Sequence, residues 1–425
     1  MAAAVQVMSR EIIRPSSQTP HHLKKQKLSY LDQLSPTTYI SLMFFYQADE
    51  IRGLTTSNHV QISQHLKHSL SNTLASFYPL AGKIRDNSFI DCNDYGCQFI
   101  EARARTRLMD VIKEPNMELL KQLVLVDPIG GHETLVAVQI TFFDCGGIAI
   151  IVSISHQIAD FASQLAFIDA WAATFGGGKS ELSRFSFDLA SYFPTRDFPS
   201  SNMFASLMSN ELFPTKMLVF DREKLSKLKL AAISSSGSIV KDPTSVEVVS
   251  AFIWKHFIES VKSKNMDAKK TFAATQGVNL RPRTSPPNLL KNVFGNCIMV
   301  PTALTSIDKS ELHDLVHEFR STIRTINGEY IGKAQTGDTY VNDLSTLLPA
   351  LMNGELEWCV FSSWCRFPVY EVDYGWGKPI WFCTTALPLN NLAILVSTRS
   401  GDGIEAWLTM PPDNIEVLQT QMELL

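Results

Sequence analysis

The chain has 425 residues, of which 45% are hydrophobic, 10% aromatic and 19% charged, and this composition is typical of a folded globular protein. Because a single hydrophobic core rarely grows beyond about 250–300 residues, the length predicts two domains. The 38 basic and 42 acidic residues give a net charge of −4 and are scattered along the chain. We therefore expect no nucleic-acid partner.

The N-terminal residues lack an apolar run of signal-peptide length, and the longest apolar runs, such as 148–152, are far too short to span a membrane. The seven cysteines are dispersed and contain no CxxC pair, which is typical of reduced thiols and not of a disulfide framework. We therefore expect a cytosolic monomer without membrane contact.

In the first half, apolar residues at helical spacing between Leu66 and Phe77 predict a helix that ends before Pro79. Strands are predicted at 88–91 and 97–101, where short runs alternate with turn residues. These elements indicate a mixture of helices and strands from the beginning of the chain.

Residues 134–155 predict a β-hairpin, because two runs rich in β-branched residues flank a glycine-rich turn at 144–147. A histidine, His156, follows the second run directly. From residue 157 the apolar residues recur every three to four positions, which predicts a helix that ends at the glycines 176–178.

Residues 183–216 carry several prolines and serines without periodicity and predict a linker. The second half resumes the alternation of strands and helices. Its predicted strands lie at 216–220, 271–280, 296–300, 380–386, 392–397 and 404–410. Its predicted helices begin at Asp221, at a Thr244–Glu247 capping box, near Leu312 and near Ile415.

Helices and strands of similar length in both halves predict an α/β protein with two domains. The boundaries place the N-terminal domain at 1–182, the linker at 183–216 and the C-terminal domain at 217–425.

Two short patterns resemble ligand sites but favour simpler interpretations. FGGGKS at 175–180 resembles the end of a phosphate-binding loop, yet it follows a helix and not a strand, so a glycine helix stop is favoured. HDLVH at 313–317 has the histidine spacing of a zinc helix, but its charged flanks favour a solvated helix face. We expect no metal site.

His156 is a candidate general base, since a strand-to-helix junction holds a side chain rigidly at the end of an element. Asp160 follows four positions later, and the residues alone leave open a His–Asp dyad or a separate brace. Cys145, in the glycine-rich turn, is a candidate nucleophile if a base reaches it.

HQIAD at 156–160 resembles the HxxxD motif of the BAHD acyltransferases, plant enzymes that transfer acyl groups from coenzyme A thioesters to alcohols or amines. DYGWG at 373–377 resembles the DFGWG motif of the same family, with Tyr for Phe. Further blocks that resemble the family are LDQLSP (31–36), FYPLAGKI (77–84), VNLRPR (278–283), FGN (294–296) and SSWCR (362–366). Within the family, FIDCNDYG (89–96), SSWCRFPVYEVDYGWGKP (362–379) and TRSGDGIEAW (398–407) are most similar to the alkaloid-type acetyltransferases.

The resemblance implies two chloramphenicol-acetyltransferase-like domains with mixed β-sheets flanked by helices, joined by a long crossover, with an active-site channel between them. It implies that His156 is the general base and that the indole N–H of Trp376 is a candidate donor to the developing oxyanion. It also implies that Asp160 pairs with Arg281 as a structural brace.

Asp373, Gly375 and Gly377 are expected to have a structural role in their loop. The chain departs from the family pattern at Phe161, where most members have glycine, and at Tyr374. We interpret Phe161 as a packing residue, because it lies on the apolar stripe of the predicted helix.

The resemblance implies acyl-coenzyme A, with acetyl-CoA favoured, as a co-substrate and no permanently bound cofactor. A lysine beside a helix start, at Lys241, Thr244 and Ser245, predicts a binding site for the phosphates of coenzyme A, with a solvated surface as the alternative.

We therefore expect an acyl-CoA-dependent O-acyltransferase that esterifies a hydroxyl of a plant specialised metabolite, such as an alkaloid or a terpenoid, by direct transfer in a ternary complex. The alternatives are a hydroxycinnamoyl- or benzoyl-CoA transferase acting on a phenolic or other alcohol, a non-catalytic member that binds a ligand, and a transferase that uses Cys145 as nucleophile.

Overall fold

The computed structural model describes most of the chain. The described residues are 5–47, 59–113, 115–128, 133–178, 185–198, 212–234, 237, 239–264, 271–385 and 389–425.

The chain divides into two compact units. Unit 1 comprises Met1–Ala205, Asn292–Cys297 and Pro368–Leu387, and unit 2 comprises Ser206–Lys291, Ile298–Phe367 and Pro388–Leu425. Two short stretches from the second half of the chain therefore belong to unit 1. The domain boundaries inferred from the sequence stay a prediction.

The strands, in chain order, are β1 Val5–Ile13, β2 Lys25–Lys27, β3 Tyr39–Tyr46, β4 Lys83–Arg85, β5 Phe89–Asp91, β6 Cys97–Ala104, β7 Val136–Phe143, β8 Ile148–Ser155, β9 Thr215–Phe220, β10 Thr271–Gln276, β11 Val278–Asn279, β12 Ile298–Met299, β13 Thr302–Thr305, β14 Leu356–Ser363, β15 Trp381–Thr384, β16 Leu392–Ser397 and β17 Ile404–Thr409.

The α-helices are α1 Tyr30–Leu34, α2 His59–Ser76, α3 Leu108–Lys113, α4 Met117–Leu123, α5 Phe161–Phe175, α6 Leu189–Tyr192, α7 Arg222–Ser234, α8 Ser245–Lys264, α9 Leu312–Thr325, α10 Gly328–Thr336, α11 Thr339–Met352 and α12 Pro412–Glu423. None of the helices in the described part of the chain is both long and apolar enough to cross a bilayer.

The main sheet of unit 1 has six strands among the described residues, in the order β1-β6-β7-β8-β3-β15. β6 and β7 run parallel and the other neighbours antiparallel, so the sheet is mixed as expected. The predicted hairpin is confirmed, because β7 pairs with β8. Both strands are buried along their whole length, which explains their continuous apolar runs.

Helices α2 and α5 pack together in unit 1. Leu66, Leu70 and Leu74 of α2 are fully buried, which confirms the helix predicted from their spacing. The indole N–H of Trp171 in α5 donates to the carbonyl of Leu66 at 3.3 Å and to the hydroxyl of Ser69 at 3.0 Å. These bonds fix the packing of the helix that follows the histidine motif.

The main sheet of unit 2, again among the described residues, has the order β13-β10-β14-β16-β17-β9 and is also mixed. Helix α8 packs Val248, Phe252 and Trp254 into the core of this unit. The predicted capping box begins this helix: the main-chain N–H of Glu247 donates to the Thr244 hydroxyl at 3.2 Å, and the Thr244 N–H donates to the Glu247 carboxylate at 2.7 Å.

Much of the predicted linker at 183–216 lies outside the described residues, and its described part is more ordered than the sequence indicates. The main-chain N–H of Ser186 donates to Asn292 at 2.9 Å, and that of Tyr30 donates to Phe193 at 3.2 Å. Gln33 donates to the Arg196 carbonyl at 2.9 Å. Residues 185–198 are therefore attached to unit 1.

Several element bounds differ from those expected. The elements without a counterpart in the sequence-based assignment are helices α1, α3, α4, α6, α10 and α11 and strands β1, β2, β3, β4, β13 and β14. The predicted strand at 380–386 is shorter in the structure, at Trp381–Thr384, and residue 386 lies outside the described residues. The helix after His156 begins at Phe161 and not at 157.

Candidate active site

His156 lies immediately after β8, and the neighbouring strand fixes its backbone. Ser155, the last residue of β8, is paired with Tyr39 of β3. The His156 N–H donates to the carbonyl of Thr38 at 2.8 Å, which extends the ladder by one residue. The sheet therefore determines the direction in which the chain leaves the strand, and the histidine is held at a rigid junction.

Asp160 is the N-cap of α5, which corrects the prediction that the helix begins at residue 157. Its Oδ1 accepts the N–H of Ser163 at 2.8 Å, and its Oδ2 accepts the N–H of Cys297 at 3.0 Å. The side chain is 2% exposed. Residues 156–158 form a turn, and the helix begins only after Asp160, because aspartate favours the cap position over a helix interior.

The structure does not join Asp160 and His156 in a hydrogen-bonded dyad. Among the described residues the His156 Nδ1 is buried without a hydrogen-bond partner, and no bond links the ring to the Asp160 carboxylate. Asp160 still acts on the ring through its charge, which raises the pKa of His156.

Arg281 lies in a short 3-10 turn, Arg281–Arg283. Its main-chain N–H donates to the Asn279 side chain at 3.1 Å, and its guanidinium approaches the same oxygen at 3.4 Å. The ion pair of Arg281 with Asp160 that the family resemblance implies stays a prediction.

The imidazole of His156 has a buried end and an accessible end. Nδ1 is sealed from solvent, whereas the residue as a whole is only half-buried, and Nε2 makes no hydrogen bond to the described residues and is not sealed. Burial lowers the pKa of His156 from its ordinary value of 6.5, while its own carbonyl, Asp160 and the Asn296 side chain oppose the shift. The ring is therefore neutral at physiological pH, as a general base must be.

Asn296 is a neighbour of His156 that the sequence-based assignment did not include among the site residues. It is fully buried, and its side-chain amide donates to the His156 carbonyl at 2.9 Å and to the Asp32 carboxylate at 3.0 Å. The only sequence signal for Asn296 and Asp32 was that they lie in the FGN and LDQLSP blocks, respectively.

Phe161, the first residue of α5, is 8% exposed and packs edge-on against Phe382, with ring centroids 6.3 Å apart. This contact confirms the interpretation of Phe161 as a packing residue.

Trp376 lies in a cluster of aromatic rings. Its ring is 4.8 Å from that of Phe175, 5.4 Å from Tyr374 and 6.0 Å from Tyr46, measured between centroids. The indole N–H is buried without a partner in the described part of the chain, and the rings that Trp376 contacts there do not include His156. The role of Trp376 as an oxyanion donor stays a prediction.

Asp373 organises the loop that carries Trp376. Its Oδ1 accepts the N–H groups of Gly375 at 2.7 Å and of Gly377 at 2.9 Å. Both glycines have positive φ values, +89° and +111°, which other residues rarely adopt. The loop geometry thus depends on one carboxylate and two glycines.

The predicted phosphate site at Lys241, Thr244 and Ser245 lies beside two carboxylates. The capping box already uses the N–H groups of Thr244 and Glu247. Arg320 binds Glu247 at 2.7 Å and Asp242 at 2.6 Å. A phosphate would have to compete with these groups, and coenzyme A binding at this helix start stays a prediction.

Cys145 and the HDLVH motif show no assembled chemical site among the described residues. Cys145 is exposed, and its sulfur accepts the N–H of Leu108 at 3.3 Å. His313 approaches the carboxylate of its neighbour Asp314 at 3.4 Å. The described residues contain no group of three or more His, Cys, Asp or Glu side chains arranged to hold a metal ion. Gly176–Gly178 end helix α5, as predicted, and residues 179–180 of FGGGKS lie outside the described residues.

Comparisons with known proteins identify the relatives of the chain. A family model described as "Transferase family" matches residues 3–425. Stemmadenine O-acetyltransferase of Catharanthus roseus is 39% identical over 99% of this chain and 97% of its own length. Vinorine synthase of Rauvolfia serpentina is 38% identical over 99% of this chain and 98% of its own length. The crystal structure of vinorine synthase matches with a TM-score of 0.85 at 37% identity, covering 99% of this chain and 98% of that chain.

The full-length relatives define a coenzyme A-dependent acyltransferase, and its two units each contain a mixed sheet. The chain belongs to the BAHD acyltransferase family. The resemblance of the chain to that family is thereby confirmed.

Proposed function

We propose that this protein transfers an acetyl group from acetyl-CoA to a hydroxyl of a plant specialised metabolite, such as an alkaloid or a terpenoid. The observation that carries the proposal is the half-buried His156, whose Nδ1 is sealed and whose Nε2 is not, held at a strand end in a chain related over its full length to O-acetyltransferases. Such a ring can accept a proton only at Nε2.

In the proposed reaction the acceptor oxygen attacks the thioester carbonyl while Nε2 of His156 takes the hydroxyl proton. A tetrahedral intermediate forms, its C–S bond breaks, and the imidazolium returns the proton to the thiolate of coenzyme A. The products are the acetate ester and free coenzyme A. A positioned general base of this kind typically accelerates a reaction by about 10²–10⁴-fold. The lowered pKa of His156 keeps the base unprotonated before attack.

The test is a thiol-release assay with acetyl-, benzoyl- and hydroxycinnamoyl-CoA against a panel of alkaloid, terpenoid and phenolic alcohols. We expect acetyl-CoA to be preferred and His156→Ala to lose about 10²-fold or more in kcat, with the circular dichroism spectrum unchanged. A preference for benzoyl- or hydroxycinnamoyl-CoA would favour the alternative donor class. Full activity of His156→Ala would refute the mechanism.

The same assay separates direct transfer from a cysteine-nucleophile mechanism and from ligand binding without catalysis. Cys145→Ser is the matched control, because Cys145 is exposed and is not linked to a base among the described residues. Unchanged activity of this variant, with no acyl-enzyme in the mass spectrum, supports direct transfer. Ligand binding without turnover by the wild type would favour a non-catalytic protein.

We also propose that the protein is a monomer located in the cytosol. Size-exclusion chromatography would test the oligomeric state, and localisation of a tagged chain would test the location.

A further inference from the structure

A cavity of about 530 Å³ opens on the surface of unit 1, at one end of the three-stranded sheet β2-β5-β4. One wall comes from the segment 14–18, which follows β1. The other wall consists of Lys24, which immediately precedes β2, and residues 93–95, which follow β5. The volume lies within the range of about 300–1,000 Å³ that is typical of small-molecule sites. The lining residues are not those of the candidate active site, so the cavity is a separate feature.

One carboxylate holds the two walls together, so the cavity is preformed. Asp94 accepts the main-chain N–H of Thr19 at 3.1 Å and a proton of the Lys24 ammonium at 2.8 Å. The segment after β1 is also anchored from the side of α2, because the hydroxyl of Ser71 donates to the Arg14 carbonyl at 2.7 Å. A ligand would therefore bind between walls that are already in place, without the entropic cost of ordering them.

Arg14 is the cation of this cavity that has no counter-ion. Asp94 neutralises Lys24, whereas the guanidinium of Arg14 is exposed and makes neither a hydrogen bond nor an ion pair to the described residues. The side chains of Ser17 and Gln18, which line the same wall, likewise have no hydrogen-bond partner in the described part of the chain. A guanidinium binds a carboxylate or a phosphate through two parallel N–H bonds, and a hydroxyl and an amide can donate further bonds. The unused groups of the cavity are therefore those that an anion requires.

The surroundings of the cavity add positive charge. Lys25 and Lys83 lie at the same end of the small sheet, since both are paired in register with Asp91. The Lys83 ammonium is 3.6 Å from the ring centroid of the lining residue Tyr95. Neither lysine makes an ion pair within the described ranges. The carboxylates at this end already have partners, which are Lys24 for Asp94, Arg85 for Asp91 and the Tyr95 hydroxyl for Glu133. An anion that approaches Arg14 therefore enters a positive field.

We propose that this cavity is a second ligand site, for a small metabolite that carries one carboxylate or phosphate group, and that Arg14 binds the anionic group. The cavity is far larger than an inorganic ion requires, so the rest of the metabolite fills the remaining volume. The proposal is independent of the proposed acetyl transfer, because none of its steps uses that reaction.

The first test compares two arginines of the wild-type full chain. Phenylglyoxal modifies exposed arginines, and mass spectrometry measures the modification at each position. Arg10 is the internal control, since it is exposed, has no ion pair among the described residues and lies on β1 outside the cavity. At about ten times the Kd of phenyl phosphate or benzoate, modification of Arg14 is expected to slow by about 10-fold, with Arg10 unchanged. No protection of Arg14, or equal protection of both arginines, would overturn the proposal.

The second test measures by calorimetry which property of the ligand is recognised. The probes are phenyl phosphate, benzoate, inorganic phosphate and the neutral benzyl alcohol. We expect binding of phenyl phosphate or benzoate, and their relative affinity identifies the preferred anionic group. Equal affinity for benzyl alcohol would overturn the requirement for an anion, and equal affinity for inorganic phosphate would overturn the requirement for a larger molecule.

Two variants assign the binding to the cavity. Arg14→Gln is expected to weaken binding by about 10-fold or more, because charge-assisted hydrogen bonds are lost, and Arg10→Gln is expected to bind like the wild type. Arg14 is exposed, so this substitution leaves the core of unit 1 intact. Unchanged binding in Arg14→Gln would place the ligand elsewhere and contradict the proposal. Neither test measures acetyl transfer, so failure of the proposed function would leave both results decisive.

Discussion

Asp160 and Cys297 are 137 positions apart in the sequence, and the Asp160 carboxylate accepts the Cys297 N–H at 3.0 Å. The other oxygen of the same carboxylate caps α5 by accepting the N–H of Ser163. One buried side chain therefore ends the turn after His156 and also fixes the segment that carries Asn296. A loss of activity in an Asp160 variant would therefore be explained by these structural contacts, without any proton transfer by Asp160.

The double role of Asp160 predicts a large loss of stability when it is removed. Asp160→Ala loses a helix cap and one of the two acceptors of the Cys297 N–H, since the Gly295 carbonyl at 3.1 Å remains. Together these losses are expected to cost about 2–3 kcal/mol in the free energy of unfolding. Urea denaturation measures this change. The control is Asn327→Ala, which loses only the cap bond to Tyr330 at the exposed start of α10 and is expected to cost about 1 kcal/mol. Equal costs in the two variants would mean that the bond to Cys297 contributes nothing.

The burial of His156 predicts the position of the acid limb in the pH profile. Burial lowers the pKa below the ordinary value of 6.5, and only the neutral ring accepts a proton. kcat/KM is therefore expected to be constant at neutral pH and to fall with a slope of one as the pH drops through a value below 6.5. An acid limb above that value would contradict the assignment. Subtraction of the thiol released without enzyme is the control.

The same shift predicts a change of stability with pH. Between the lowered pKa of folded His156 and 6.5, the unfolded chain binds a proton that the folded chain does not. The free energy of unfolding therefore falls as the pH falls through this window. His156→Ala should lose this component of the pH dependence, which urea denaturation at several pH values would measure.

Local signals were sufficient to predict the elements around His156. The β7–β8 hairpin, the helix after it and the Thr244–Glu247 capping box each depend on neighbouring residues, and each is present in the structure. The choice of His156 as the candidate base also depended on a local motif, HQIAD at 156–160. The start of α5 was placed wrongly because periodicity shows which face is apolar and does not show where an aspartate caps the helix.

The surroundings of His156 depend on contacts between distant parts of the sequence, which a single sequence does not reveal. Asn296 reaches the His156 carbonyl across 140 positions and the Asp32 carboxylate across 264 positions. β15 pairs with β3 at the edge of the unit 1 sheet, although one strand is near each end of the chain. No periodicity or turn signal indicates such pairings, so the rigid surroundings of His156 were visible only in the structure.

Two buried tyrosines of the aromatic cluster predict opposite effects for the same chemical change. The Tyr374 hydroxyl has no partner in the described part of the chain, whereas the Tyr46 hydroxyl donates to the Val372 carbonyl at 3.1 Å. Tyr374→Phe removes an unsatisfied polar group and is expected to raise the free energy of unfolding by about 1 kcal/mol. Tyr46→Phe leaves a carbonyl unpaired and is expected to lower it by about 1 kcal/mol. Thermal and urea unfolding of the two variants measure the difference, and a loss of stability in Tyr374→Phe would show that its hydroxyl has a partner after all.

The bonds of Asp373 predict which property of its side chain the Trp376 loop requires. Asp373→Ala loses both acceptor bonds to Gly375 and Gly377 and is expected to cost about 1–2 kcal/mol of stability. Asp373→Asn keeps a carbonyl oxygen in the same place, so its stability should stay within about 0.5 kcal/mol of the wild type, with kcat unchanged. Both variants lose the negative charge of residue 373, but only Asp373→Ala also loses the acceptor oxygen. Comparing the stability and kcat of the two variants therefore separates the effect of loop geometry from that of the charge. A large loss of kcat in Asp373→Asn at unchanged stability would show that the charge of Asp373 takes part in the reaction and that its role is not structural alone.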